Sequence, residues 1–432
     1  MKLLLAAFAI SLLTIRAATA VPSPAQSAQA LIGRVLPAHR DRFVCEAIPA
    51  EDGKNVFEIE SVNGKIVLRG DTGVSLASAL NHYLKYFCHC DTAWCGTQMK
   101  MPATLPAVPE KIRLVSPHVR RTFFNYCTFG YSMPWWGWPE WERAIDQLAL
   151  QGYNMPLAMT GMEGIWYHTL LRFGFDDLEA RSFLSAPGHL PWQLMQNLEG
   201  AGGPLPKSWI DSHIELGRKI IQRERELGMT PIQQGFSGHV PHLLKQKFPE
   251  AAIAIQPRWC NYPGVAQLDP LDPLFEKFGT AFIEEEIKLF GTDHLYAADP
   301  FHESAPPKPG NEYLAAVGKN IFSVMTNSDP RAMWIMQGWT NHRPILEAVP
   351  RDRLLILSIG GSGNGAYWGY PFLNCRYNNF GCRNNLHGDL KELAANPFAA
   401  TVNAPGSNCR GTGLMMEGFY QNPVYLQLSS DL

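Results

Sequence analysis

Eight short apolar runs, each followed by a helical or loop-rich stretch, occupy the chain from about Val119 onward. They cover residues 122–127, 154–160, 230–236, 295–300, 332–338, 354–359, 370–375 and 411–416. Amphipathic stretches at 139–151, 211–227, 273–290 and 312–326 read as helices. Pro139 suits a first helical turn, and Asp272 is a good N-cap ahead of Pro273. Strands alternating with helices force a parallel sheet, because each crossover returns the chain to the same end. Eight such units over about three hundred residues predict a (β/α)8 barrel of the TIM type. An open doubly wound sheet would want Gly-x-Gly-x-x-Gly after its first strand, and none is there. The run Gly360-Gly-Ser-Gly-Asn-Gly365 lacks the Lys-Ser/Thr of a phosphate loop and reads as a plain loop.

The barrel is expected over residues 116–420, with 421–432 starting a further helical region. Ahead of it, residues 31–115 read as a small α/β domain. Strands at 56–59 and 66–69 flank Asn63-Gly64, a favoured hairpin turn. A helix at 74–87 aligns Leu76, Leu80, Leu84 and Phe87 on one face, and Pro102, Pro106 and Pro109 mark the boundary. Residues 1–20 have a secretory signal pattern: Lys2, an apolar run from Leu3 to Ile15, then Ala18-Thr-Ala20. The Pro/Ser/Ala-rich stretch 21–30 reads as a linker. No other run reaches about eighteen apolar residues, so no stable membrane anchor is expected. The chain has no Asn-x-Ser/Thr, which favours export to a bacterial periplasm or exterior over a heavily glycosylated eukaryotic setting. A formal net charge of −2 leaves no electrostatic footprint for nucleic acid. Of nine cysteines, Cys45, Cys88, Cys90 and Cys95 lie in the small domain, where an oxidising compartment would allow one disulfide. Their spacing fits no common zinc pattern, so no metal is expected.

Two carboxylates stand out. Glu303 ends the run that starts at Leu295, and Glu417 ends the run that starts at Gly411. Each acid closes a stretch that reads as a buried strand, where a lone carboxylate is costly unless paired or neutralised. In a (β/α)8 barrel the site forms at the C-terminal ends of the strands, where both fall. A pair of acids is what glycoside hydrolysis needs: one protonates the leaving oxygen and the other acts at the anomeric carbon. Pairing with a nearby Arg or capping of a helix is the plainer role for each. Asp299 reads as a supporting residue at a strand end, and Glu163 as a first-turn helix acid or a binding residue. With 12 Trp the chain has more than packing usually needs, and sugars stack on aromatic faces. Trp135, Trp136 and Trp138 read as loop packing, whereas Trp192 and Trp339 stand equally well as packing or sugar contacts. His239 reads as structural. Cys127 reads as a buried thiol lining the pocket, because no His partner for a nucleophile is evident.

Ordered motifs then carry a resemblance. They are Arg69-Gly-Asp-Thr-Gly-Val74, Tyr83-Leu-Lys-Tyr-Phe-Cys-His-Cys-Asp-Thr-Ala-Trp94, Asn125-Tyr-Cys127, Trp135-Trp136 and Trp141-Glu-Arg143 with Ile145-Asp146. Gly228-Met-Thr-Pro231, Gly238-His-Val-Pro241, Phe290-Gly-Thr-Asp-His-Leu-Tyr296, Gln337-Gly-Trp339 and Gly411-Thr-Gly-Leu-Met-Met-Glu-Gly418 with Gln421-Asn422 continue it. Together they resemble the family 89 glycoside hydrolases, the α-N-acetylglucosaminidases. The resemblance implies a small domain like that of family 20, a catalytic barrel and a retaining mechanism without a cofactor. It implies Glu303 as general acid/base and Glu417 as nucleophile. It implies Asn125, Cys127, Trp192 and Trp339 as sugar-pocket residues, with His302 where the family's lysosomal member has Asn. The chain departs from the family pattern at Leu357-Ser-Ile359, at Asn374-Cys375 and at Asn379-Phe-Gly-Cys382, and a chain without the family's helical C-terminal domain is expected. The expected function is exo-acting release of terminal α-linked N-acetylglucosamine from glycans. The alternative is a truncated or degenerate homologue that binds glycans without cleaving them.

Overall fold

The computed structural model describes residues 21–359, 367–383, 386, 388–395 and 405–432. The expected signal segment 1–20 and the glycine-rich run 360–365 lie outside the described residues.

Local chemistry sets the first element. The Ser23 hydroxyl accepts from the Gln26 amide, and the Gln26 side chain accepts from the Ser23 amide at 2.8 Å, with Pro24 at the first helical position. A helix therefore runs over Pro24–Val35 and buries Ala28, Leu31 and Ile32. This corrects the linker expected at 21–30: its small residues are one face of a packed helix, not a tether. Beside it, Phe43–Ala47 runs parallel to Lys65–Gly70, which pairs antiparallel with Val56–Val62, and that strand pairs antiparallel with Ile112–Val115. Asn63 and Gly64 take φ of 51° and 77°, the left-handed backbone that a two-residue hairpin needs. The helix Gly73–Tyr86 buries Leu76, Leu80, Tyr83 and Leu84 against this sheet. The Arg34 guanidinium grips both Asp146 oxygens at 2.6 Å, which fastens the small domain to the barrel.

All eight expected barrel strands form: one matches its run, three reach one or two residues outside theirs, and four are shorter and lie inside. They are Arg120–Phe123, Met155–Pro156, Gln233–Gln234, Leu295–Ala297, Met333–Gln337, Leu354–Ile359, Phe372–Arg376 and Cys409–Leu414. Every hydrogen-bonded neighbour pair among them is parallel, and the eighth strand pairs with the first. The second and third strands close the ring through a Leu157–Ile232 bridge, with Ile232 N–H donating to Pro156 O at 2.8 Å and Ala158 N–H to Ile232 O at 2.9 Å. The four expected helices appear as Trp138–Leu150, Lys207–Glu226, Pro273–Phe290 and Asn311–Ser328.

The strands end early because the chain turns outward at the rim. Expected strand 122–127 stops at Phe123; Phe124 takes φ 79°, and Asn125 caps a new helix, Tyr126–Tyr131. Between the second and third strands lie the helix Glu163–Arg172, in keeping with Glu163 read as a first-turn acid, and two helices not expected from the sequence, Asp177–Phe183 and Leu190–Leu194. The segment 421–432 forms the helix Pro423–Asp431, which comes after the eighth strand and so continues the barrel's own alternation. It is seated on the small domain: Lys85 Nζ reaches Asp431 at 2.6 Å, and Trp94 Nε1 donates to Gln421 O at 2.6 Å.

All nine cysteines are free thiols, so the expected disulfide among Cys45, Cys88, Cys90 and Cys95 is absent. Cys45 sits within the parallel pair opposite Leu68, and Cys90 Sγ turns to Met101 Sδ at 3.7 Å. No helix among the described residues is long and apolar enough to cross a membrane.

Candidate active site

Loops after five of the eight strands bring the candidate residues to one rim. Asn125 and Cys127 follow the first strand and Trp192 the second. His302 and Glu303 follow the fourth, Trp339 the fifth and Glu417 the eighth. Asn125 is buried, and its side-chain oxygen accepts from the Cys127 amide at 2.8 Å. Thr128 Oγ1 donates to Met416 O at 2.8 Å. That bond anchors the Cys127 helix beside Glu417, so what the structure gives Asn125 is the fixing of Cys127.

Glu417 is half-buried. Its Oε1 accepts from the Tyr377 hydroxyl and its Oε2 from the Gly381 amide, both in the loop after the seventh strand. Two donors, one per oxygen, suit the acceptor-only chemistry of an ionised carboxylate and fix its plane. Glu303 is exposed; Trp259 Nε1 donates to its Oε2 at 2.5 Å and Asn197 Nδ2 at 3.2 Å. The backbone here is strained, with Phe301 at φ 61° and Glu303 at φ 50°, values that bulky residues rarely adopt.

The buried setting expected for both acids is therefore wrong. The fourth strand stops at Ala297 and the eighth at Leu414, so the turns beyond them carry both carboxylates out to the rim. More deeply placed acids sit elsewhere. Asp299, half-buried, accepts from the Gln337 amide at 2.7 Å and is pushed by desolvation up to about 7. That matches a supporting residue tying the fourth strand to the fifth. Glu163 begins a helix, as its plainer reading held, and burial pushes it to about 7 as well.

Cys127 shows that the two candidate acids converge. Its thiol is pushed well up, first by burial, then by the negative charges of Glu417 and Glu303 and by a hydrogen bond to Glu417. It therefore stays a neutral donor facing both carboxylates, a buried thiol rather than a nucleophilic thiolate. Tyr131 adds a wall: burial and then the charge of Glu417 raise its pKa, and its ring meets Trp192 edge-on at 5.0 Å. Trp192 can come this close because position 130 is glycine; a Cβ there would lie 2.5 Å from the indole. His302 is buried, burial lowers its pKa against the pull of Glu303, and its Nδ1 has no hydrogen-bond partner among the described residues. Trp339 is 47% exposed on the rim. His239 is buried, with Nδ1 3.3 Å from Gln193 O and Nε2 3.4 Å from Glu199 Oε2.

Sequence reasoning missed Asn197, Trp259, Tyr377 and the Gly381 amide. Trp259 alone carried a signal, a bulky aromatic in the polar loop Pro257-Arg-Trp-Cys-Asn-Tyr-Pro263. Among the described residues no group of three or more His, Cys, Asp or Glu side chains could hold a metal ion.

Comparisons with known proteins bear on the chain's family and fold. The family model described as the alpha-N-acetylglucosaminidase (NAGLU) N-terminal domain matches residues 26–107, and that of the NAGLU TIM-barrel domain matches residues 121–432. Human alpha-N-acetylglucosaminidase is 37% identical over 94% of this chain. The structure is similar to a family 89 glycoside hydrolase from Clostridium perfringens in complex with 2-acetamido-1,2-dideoxynojirmycin. The TM-score is 0.90, at 31% identity over 94% of this chain. A variant of the Clostridium enzyme with two glutamates changed to glutamine, solved with its substrate GlcNAc-alpha-1,4-galactose, matches equally well. A Bacteroides fragilis beta-N-acetylhexosaminidase, at 12% identity and TM-score 0.56, shares the fold alone. The chain spans 58% of the human protein and 48% of the Clostridium chain. Matched by family models over both of its domains, and by relatives above 30% identity over nearly its whole length, the chain belongs to the alpha-N-acetylglucosaminidase family, the family 89 glycoside hydrolases.

Proposed function

We propose that the chain carries the catalytic barrel of an exo-acting, retaining glycoside hydrolase that removes terminal α-linked N-acetylglucosamine. The observation that carries this reading is the convergence of Glu303 and Glu417 on the Cys127 thiol. Glu417 attacks the anomeric carbon as the glycosidic C–O bond breaks, and Glu303 gives its proton to the leaving oxygen. Glu303 then takes a proton from water, whose oxygen attacks the same carbon and releases the Glu417 carboxylate. Two inversions give net retention, which requires carboxyl groups about 5–5.5 Å apart. The Tyr377 hydroxyl and Gly381 amide hold Glu417 in line, and Trp259 with Asn197 steadies Glu303.

Trp192 and Trp339 supply faces for the sugar ring, His302 Nδ1 is free to bond a hydroxyl, and Cys127 with Asn125 floors the pocket. The ligand is a glycan ending in α-linked N-acetylglucosamine, the reaction uses no cofactor, and the protein works after export in a periplasmic or extracellular space. A chromogenic α-N-acetylglucosaminide tests the chemistry, with the product's first-formed anomer read by NMR. Turnover to the α-anomer that collapses in Glu417→Ala is expected. A β-anomer product sinks retention, and glycan binding by calorimetry with no product at all favours the binding-only alternative.

A further inference from the structure

The opposite mouth of the barrel holds a cavity of about 440 Å³, formed where strands one, two, four and five begin and strand three is about to. Its polar lining is Arg120, Asn154, Thr230, Asp293, His294 and Arg331. The acids at this mouth are already engaged. Arg225 holds Asp293 at 2.6 and 2.8 Å, and Asp329 holds His294 Nδ1 at 2.6 Å along with the Thr292 and Tyr296 hydroxyls. Asn154 is spent on backbone and on Asn55. Two cations remain. The Arg331 side chain has no hydrogen bond or ion pair among the described residues. Arg120, half-buried, has only Met155 Sδ, 3.4 Å from its Nη1. Burial lowers the Arg120 pKa, and no carboxylate offsets it. Its neighbour Arg121 is the contrast, because it spends its donors on Gly152 O, His118 O, Ser116 and Asn55.

A guanidinium withdrawn from water without a counter-charge is costly, and its planar donor fork fits a tetrahedral oxyanion. We propose that the bottom mouth of the barrel binds an oxyanionic group, sulfate or phosphate, between Arg120 and Arg331. The cavity is roomier than a bare ion needs, so the group can be free or carried on a small polar molecule such as a sugar. This site lies at the far end of the strands from Glu303 and Glu417 and shares no residue with them.

The test is calorimetry and thermal melting of the whole chain with inorganic sulfate, inorganic phosphate or glucose 6-phosphate, each against chloride at matched ionic strength. Saturable binding is expected, with a rise in Tm beyond that of chloride. Arg331→Gln, at an exposed position that should leave folding intact, and Arg120→Gln should each weaken binding about tenfold or more. Arg331→Lys should fall between, because it keeps the charge and loses the fork. Tighter binding of glucose 6-phosphate than of phosphate identifies a carried group, and equal binding a free ion. Sulfate and phosphate that act no differently from chloride, or binding unchanged when both arginines are replaced, overturn the proposal. Far-UV circular dichroism and a cooperative melt show that the variants are folded, whether or not the chain turns over substrate, so the two readings stand or fall separately.

Discussion

The acids on the barrel rim and the acids inside it live by opposite rules. Glu303 and Glu417 reach the cleft and are held by donors from loops: an indole and an amide side chain on one, a phenol and a backbone amide on the other. Glu163, Glu224 and Glu286 are fully buried on helices, none of them in an ion pair among the described residues, and burial raises the pKa of each. Acids on the rim are left where water can reach them. Those inside are pushed by desolvation toward the neutral form.

The largest effect should separate the two sets by activity. Glu417→Gln and Glu303→Gln should each lower kcat by about a thousandfold or more with the melting temperature nearly unchanged. Glu224→Gln should leave kcat within about twofold, because it lies away from the reacting atoms. Activity of Glu417→Gln within about tenfold of the wild type would break the division.

Stability should separate them by pH. Glu163 and Asp299 sit at about 7 in the fold against ordinary values of 4.5 and 3.8. A folded-state pKa above the unfolded one means that protonation favours the fold. Their stabilisation is thus complete below about pH 4 and is lost as pH rises through about 7, on the order of 3 kcal/mol each. Denaturant melts at pH 5 and pH 8 should show the higher stability at pH 5. Glu163→Gln should flatten that slope. A slope unchanged from the wild type would erase the contrast.

Smaller effects probe how the rim acids are held. Trp259→Phe keeps the ring and removes the N–H on Glu303; kcat should fall about tenfold and its pH profile should shift, with KM changed less. A silent variant would leave Asn197 as the only support that matters. Gly130→Ala pushes a methyl against Trp192 and should raise KM a few-fold with little change in kcat, measured by steady-state kinetics. Unaltered KM would remove Trp192 from the sugar site.

The barrel was legible in the sequence because each strand is an apolar run with its own turn chemistry. Even the short Gln233–Gln234 strand lay inside such a run. The same runs placed Glu303 and Glu417 at strand ends. Their surroundings were hidden, because the donors arrive from far along the chain: 44 residues away for Trp259, 106 for Asn197 and 40 for Tyr377. Burial was misjudged for a related reason. An apolar run predicts a buried strand up to its last residue, whereas Phe124 and Phe301 turn into left-handed backbone and redirect the chain beyond them. The supposed linker failed in the opposite way: Ser23 and Gln26 spell a helix cap, which a reading of composition alone passes over.

The seating of the helix Pro423–Asp431 on the small domain bears on how this chain is made. Lys85 meets Asp431 across 346 residues, and Thr128 meets Met416 across 288. On the ribosome, the first barrel strand waits without its eighth-strand neighbour for roughly 15 to 60 seconds at ordinary elongation rates. Through that interval its edge and the apolar underside of the small domain stand open to the surrounding solution. Molecular chaperones should therefore engage the growing polypeptide there, and let go only when the eighth strand and the helix after it emerge and shut the ring.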